Sequence, residues 1–176
     1  MSSTSVGDTV RNAGGVRESG ARAGRGGKFL TFFLAGEEYG LEILKVQEII
    51  GMMDITPVPR TPDHLRGVIN LRGKVIPIVD LRLKFAMEAA ERTSETCIIV
   101  VQANGKQTGI VVDQVSEVLN IAGEAIEDTP AFGADVRTDY ILGIGKSEGH
   151  VKLLLDIDRV LEDGAIEQAS ASGAEA

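Results

Sequence analysis

Residues 68–81 read Val-Ile-Asn-Leu-Arg-Gly-Lys-Val-Ile-Pro-Ile-Val-Asp-Leu. Val68, Asn70 and Arg72 fall on one side of an extended chain and Ile69 and Leu71 on the other. This half-alternating strand runs into Gly73. An almost wholly apolar, β-branched strand then returns from Val75 to Leu81. Gly73 gives the backbone freedom a tight turn needs, and Arg72 and Lys74 keep that turn in water. The stretch reads as a β-hairpin.

Working outward, the same grammar repeats. Phe29 to Leu34 reads as a strand turning at Gly36-Glu37-Glu38, and Tyr39 to Ile43 returns. One helical turn around Leu44 to Val46 leads into a strand at Gln47 to Ile50. Thr56 to Pro62 holds Pro57, Pro59 and Pro62 and is an extended loop, followed by a short helix from Pro62 to Arg66 that Gly67 ends. Met87 to Glu95 is a polar surface loop. Thr96 to Gln102 and Gln107 to Val112 flank Asn104-Gly105, a strong hairpin signal, and Asp113 to Leu119 extends the returning strand. Ala122 to Asp139 is loop-like. Tyr140 to Lys146 and His150 to Leu155 form a last hairpin around Glu148-Gly149, and Asp156 or Asp158 caps a short closing helix. Many short strands at turn-marked intervals, with no βαβ pattern, predict an all-β fold of small barrels or a sandwich.

The ends differ in composition. Residues 1–27 are rich in Gly and Ser, with Arg11, Arg17, Arg22 and Arg25 and almost no large apolar residue, so they read as a disordered tail. Residues 165–176 read as a second flexible tail, leaving one domain over 28–164. A formal net charge of −8 and the lack of a basic, aromatic-interleaved cluster exclude a nucleic-acid partner. One cysteine, Cys97, excludes an internal disulfide framework and fits a reducing compartment. No basic-then-apolar leader and no apolar run near 18 residues is visible, so neither secretion nor membrane insertion is expected.

Catalytic chemistry finds no foothold. His64, His150 and Cys97 each stand alone in their segments, short of the ligand groupings of a zinc site. No Gly-x-Ser-x-Gly elbow is present. Gly143-Ile144-Gly145-Lys146-Ser147-Glu148-Gly149 has the wrong spacing for a dinucleotide fingerprint and lies in a hairpin. Cys97, among β-branched neighbours, reads as a buried inert thiol. The expectation is a protein without catalytic activity or cofactor.

Four motifs in order carry a resemblance. Phe-Leu-x-Phe-x-Leu-x-Gly-x-Glu-Tyr-Gly begins at Phe29 and is followed by Leu-Glu-Ile-Leu-Lys-Val-Gln-Glu-Ile. The NLRG hairpin continues into Val-Ile-Pro-Ile-Val-Asp-Leu-Arg. Gly109 to Leu119 and Tyr140 to Gly145 complete the set. Together they resemble the CheW family of chemotaxis coupling proteins over roughly 28–164. The resemblance implies two packed SH3-like five-stranded β-barrels sharing a hydrophobic core at their junction. It implies a cytoplasmic scaffold, recruited to membrane receptor arrays, that bridges the helical-hairpin tips of chemoreceptors to the regulatory domain of the histidine kinase CheA. Carried over residue by residue, it implies receptor binding by Val46, Glu48, Ile49, Gly67 and Arg72, and a further receptor or kinase interface at Thr96, Cys97, Val118 and Gly143. Two alternatives stand beside it: an adaptor of the same build in a non-chemotactic receptor–kinase pathway, and a small β-barrel ligand binder or enzyme sharing only the fold.

Overall fold

Asn104-Gly105, Arg72-Gly73, Glu148-Gly149 and Ala35-Gly36 are four two-residue turns in which both residues have positive φ, between 52° and 86°. This geometry matches the right-handed twist of paired strands, and each turn closes a hairpin. The computed structural model describes residues 26–129 and 140–162. Its strands are β1 (Gly27–Leu34), β2 (Glu37–Glu42), β3 (Val46–Gly51), β4 (Leu65–Leu71), β5 (Lys74–Asp80), β6 (Cys97–Ala103), β7 (Lys106–Val112), β8 (Gln114–Ile121), β9 (Ile126–Glu127), β10 (Ile141–Ser147) and β11 (His150–Leu155). Two short helices, α1 (Leu81–Lys84) and α2 (Ile157–Val160), follow β5 and β11. Asp80 and Asp156 cap them, accepting from the N–H groups of Arg82 and Arg159.

The strands form two sheets. The first barrel has the order β8-β1-β2-β11-β10-β9, and the second has β3-β6-β7-β5-β4. Each closes by the same device. Beyond β3 the chain reaches Thr56, which exchanges both backbone bonds with Val68 of β4. Beyond β8 the chain forms β9, which pairs with β10 through Ile144↔Glu127. The first sheet therefore counts six strands rather than five, because the continuation of β8 is long enough to be a strand of its own.

Alternation along each strand sorts side chains between three cores. Phe29, Ile121, Ile126 and Leu154 fill the first barrel. Ile69, Ile76, Ile78, Ile98 and Val100 fill the second. Leu30, Phe32, Leu34 and Leu41 meet Val79, Ile99, Val101 and Ile110 in a third core at the junction. Strands between two cores are buried on both faces, and hence read as continuous apolar runs. Phe32, Tyr39, Phe85 and Tyr140 run through the junction as a ladder with centroids 5.9–6.0 Å apart.

The two barrels are variants of one design, an internal repeat that the motif reading missed. Phe29–Ile50 aligns without a gap on Ile98–Leu119, keeping Gly36/Gly105, Gly40/Gly109, Val46/Val115 and Glu48/Glu117 identical. Leu65–Phe85 aligns likewise on Ile141–Leu161, keeping Gly67/Gly143, Gly73/Gly149, Val75/Val151 and Asp80/Asp156. The structure repeats with the sequence. The bulge of β3 on β6 between Val46 and Glu48 recurs in β8 on β1 between Val115 and Val118. The bulge at Leu65/Gly67 recurs at Ile141/Gly143. After its first hairpin, each half hands its next strand to the other barrel: β2 leads to β3, and β7 leads to β8.

That exchange corrects several expectations. Asp113 to Leu119 does not prolong β7, since the chain bends at Asp113 and β8 pairs with β1. Pro62 to Arg66 is not a helix. A turn at Asp63-His64 leads into β4, because Leu65 pairs with Val79 and is buried. Glu37 and Glu38 belong to β2 rather than its turn, which is Ala35-Gly36. Within 122–129 a 3-10 turn and β9 replace the expected loop, while 130–139 lie outside the described residues. The two expected tails also lie outside them, except for Gly26 and Gly27.

Candidate functional site

The edge strand β3 has a sheet neighbour on one side only, and its residues alternate between half-buried and exposed. Residues directly opposite in an antiparallel pair share a face. Val46 pairs with Val101 and Ile49 with Ile99, so both project toward the junction between barrels. Val46 packs onto the shared core, whereas Ile49 stays 45% exposed. On the first barrel Val118 of β8 pairs with Leu30 and also faces the junction, 52% exposed. Cys97 and Val115 lie half-buried against the shared core, and the Cys97 thiol is in hydrogen-bond contact with the Val115 backbone. Ile49 and Val118 thus stay half exposed on strand faces that elsewhere build the junction core, and Cys97 and Val115 meet where the two barrels adjoin. Burial pushes the Cys97 thiol above its ordinary pKa, and the thiol is half-buried rather than fully buried as expected.

Glu48 turns the other way, toward the mouth of the second barrel. Arg72, at the tip of the β4–β5 hairpin, donates from Nη2 to both Glu48 carboxylate oxygens at 2.6 and 2.5 Å. The pair ties one edge of the sheet to the hairpin at the other and frames a cleft of about 260 Å³ that also includes Leu71, Lys74, Ile76 and Gln107. Arg72 is 64% exposed, so the pair adds on the order of 0–1 kcal/mol to stability. Its effect is to hold two charges in fixed positions beside Ile49.

The remaining expected residues divide. Gly67 is buried, with φ +139°, and any Cβ there would collide with the Thr56 carbonyl. It is required where the second barrel closes. Gly143 is buried at the equivalent bulge of β10. Thr96 lines a cleft of about 400 Å³ with Met52, Met53, Arg66 and Asp80. Its hydroxyl accepts from the Thr93 N–H at 2.8 Å.

Sequence reading missed the matching face of the first barrel. Glu117 and Glu148 occupy there the positions of Glu48 and Arg72, and Lys152 and Glu38 those of Ile76 and Gln107. Lys152 is 4% exposed and lies 3.5 Å from Glu38. The internal repeat was the signal that pointed to them. Among the described residues no three His, Cys, Asp or Glu side chains come together to hold a metal ion. None of their helices is long and apolar enough to cross a membrane.

Comparison with known proteins bears on this geometry. The CheW-like domain model matches residues 28–165. The chain is 43% identical to the chemotaxis protein CheW of Klebsiella aerogenes over 136 residues, covering 77% of this chain and 82% of that protein. It is 38% identical to CheW of Rhizobium meliloti, covering 77% and 88%. The crystal structure of the scaffolding protein TtCheW from Thermoanaerobacter tengcongensis aligns with a TM-score of 0.73 at 34% identity, covering 80% of this chain and 95% of that one.

Proposed function

This chain belongs to the CheW-like domain family, and from that premise we propose that it is a non-enzymatic coupling scaffold of bacterial chemotaxis, bridging chemoreceptor tips to the histidine kinase CheA. The observation that carries the reading is that Ile49 and Val118 stay half exposed on faces that elsewhere form core, which we read as the walls of a groove between the barrels. Such a groove suits the apolar stripe of an amphipathic helix, and a receptor tip is a hairpin of two helices. Val46, packed onto the shared core, is a further apolar residue on the face of Ile49. Glu48 and Arg72, on the opposite face of β3, form a neutral pair that a helix reaching over the second barrel meets without having to desolvate a lone charge. The kinase contact is apolar surface against a regulatory domain of similar build, with Thr96, Cys97 and Gly143 as candidate contributors. Any signal passes through contacts, and the chain works in the cytoplasm at receptor arrays.

Co-sedimentation with receptor-containing membranes, with and without CheA, tests the reading. Wild-type protein binds, while Ile49→Glu and Arg72→Ala bind weakly and melt within a few degrees of wild type. A folded wild-type protein that stays in the supernatant in both mixtures would sink the proposal.

A further inference from the structure

Of the hairpin turns, one carries a reactive pair. Asn104-Gly105 joins β6 to β7, whereas the matching turns begin with Ala35, Arg72 and Glu148. The chain's other asparagines, Asn12, Asn70 and Asn120, precede Ala, Leu and Ile. A backbone nitrogen can attack the side-chain amide of an asparagine just before it, and a side chain on the attacking residue hinders the approach. Gly105 has none. Asn104 and Gly105 are both exposed, and no atom lies within 4 Å of where a Gly105 Cβ would stand, so water reaches the pair. This chemistry is one reason asparagine counts among the thermally labile residues.

Asn104 does more than turn the chain. Its φ of 52° is one that asparagine tolerates better than most residues. Its N–H donates to Asp158 Oδ1 at 3.0 Å, and its side-chain Nδ2 donates to the Asp158 backbone carbonyl at 2.9 Å. Asp158 Oδ2 meanwhile holds Nζ of Lys45, the residue before β3. The other crossover shows which of these bonds is additional. There Ala35, the repeat counterpart of Asn104, donates its N–H to Asp113 at 2.8 Å and has no side-chain donor to add. The Asn104 amide is therefore a second latch on α2, found at one crossover and made by a side chain whose nitrogen can be lost.

We propose that Asn104 is a site of spontaneous deamidation, and that the change releases the side-chain latch on α2. The Gly105 nitrogen bonds to Asn104 Cγ, the Cγ–Nδ2 bond breaks, and Nδ2 leaves as ammonia with the proton given up by Gly105. Water then opens the succinimide at one of its two carbonyls. The product is aspartate or, with the backbone rerouted through Cγ, isoaspartate. Either product lacks the Nδ2 donor and puts a negative charge where that donor met the Asp158 carbonyl, close to the Asp158 carboxylate. Isoaspartate also lengthens the backbone of a two-residue turn. Because Nδ2 is bonded and the turn is fixed, attack waits on local opening, so the folded chain reacts more slowly than the unfolded one.

The test incubates the full chain, folded, in mildly alkaline buffer and follows intact mass, peptide maps and enzymatic methylation of isoaspartate. The mass gain of about one dalton should fall on the Asn104 peptide before those of Asn12, Asn70 and Asn120, and isoaspartate should appear there. Asn104→Gly, which keeps a residue suited to positive φ, should abolish that early gain. Asn104→Asp stands in for one product and also accepts this turn, so its melting temperature reads the lost latch. It should melt about 2–4 °C below wild type, with the gap narrowing in high salt. A mass gain that falls first on another asparagine, or none while the denatured chain deamidates fully, would overturn the site. Asn104→Asp melting together with wild type would overturn the release of α2.

Discussion

Arg82 of α1 grips Asp113, the residue at which the chain leaves the second barrel for the first, with Nε to Oδ1 at 2.8 Å and Nη2 to Oδ2 at 2.5 Å. The Ala35 N–H donates to the same carboxylate at 2.8 Å, so the β1–β2 turn is held to the crossover as well. The other crossover mirrors this with its charges exchanged. Asp158 of α2 accepts from Lys45 at 2.8 Å and from the Asn104 N–H at 3.0 Å. Each helix therefore clamps the crossover that joins the barrels. Replacing Arg82 by Ala should cost about 2 kcal/mol, the value of a charge-assisted hydrogen-bonded pair that is mostly shielded from water. Urea unfolding followed by circular dichroism reads this directly.

The same contact sets an acid limb of stability. The Arg82 guanidinium, with the Ala35 N–H, holds the Asp113 carboxyl below its ordinary value against the opposing effect of burial. A folded-state pKa below the unfolded one, near 3.9, means the stabilisation is fully present above that value and is lost as pH falls through the lower folded value. Asp113→Asn should flatten the pH dependence of stability below about pH 4. An unchanged slope in the variant would remove Asp113 from the account.

Glu38 and Lys152 form a buried pair where the second barrel has Gln107 and Ile76. Glu38→Gln alone strands a buried ammonium and should destabilise by about 3 kcal/mol. Glu38→Gln with Lys152→Ile copies the second barrel's solution and should return to within about 1 kcal/mol of wild type, or exceed it. A double variant no better than the single one would show that the interiors of the two barrels are not interchangeable here.

Gly67 and Gly73 both have positive φ, but only Gly67 has a carbonyl against it. Gly73→Ala should cost about 1 kcal/mol of backbone strain. Gly67→Ala should cost clearly more, since Thr56 must also move and the bridge that closes the barrel goes with it. Equal costs in thermal melts would contradict the packing given to Gly67.

Cys97 should alkylate slowly. Burial raises its pKa, so little thiolate exists at neutral pH. Labelling in the folded protein should lag well behind labelling in denaturant, and equal rates would place the thiol in open solvent.

How much of this was legible in the sequence follows from where the information lies. Hairpins are local: Asn104-Gly105 and Glu148-Gly149 sit between apolar runs, and the turn geometry needs only the residues that make it. The NLRG and VQEI motifs singled out Glu48 and Arg72 through the family resemblance, and the structure brings the two into contact across 24 residues of sequence. The repeat was present but faint, at four identities in each pair of aligned segments, because interior positions accept any aliphatic residue of suitable size. The helix expected at Pro62 to Arg66 went wrong because nothing local reveals that Leu65 has a partner in Val79.

The sequence by itself determined an all-β chain of glycine-turned hairpins in which some strands, such as Val75 to Leu81, are almost wholly apolar and others alternate. Those properties depend on backbone conformation and side-chain period, which neighbouring residues set. Only the tertiary structure decided that each half gives a strand to the other, that Leu30 and Phe32 share a core with Ile99 and Val101, and that Arg72 meets Glu48. These are pairings between residues far apart in the chain. The free energy that selects them, burial of the shared core of Leu30, Phe32, Ile99 and Val101, exists only once both barrels are in place.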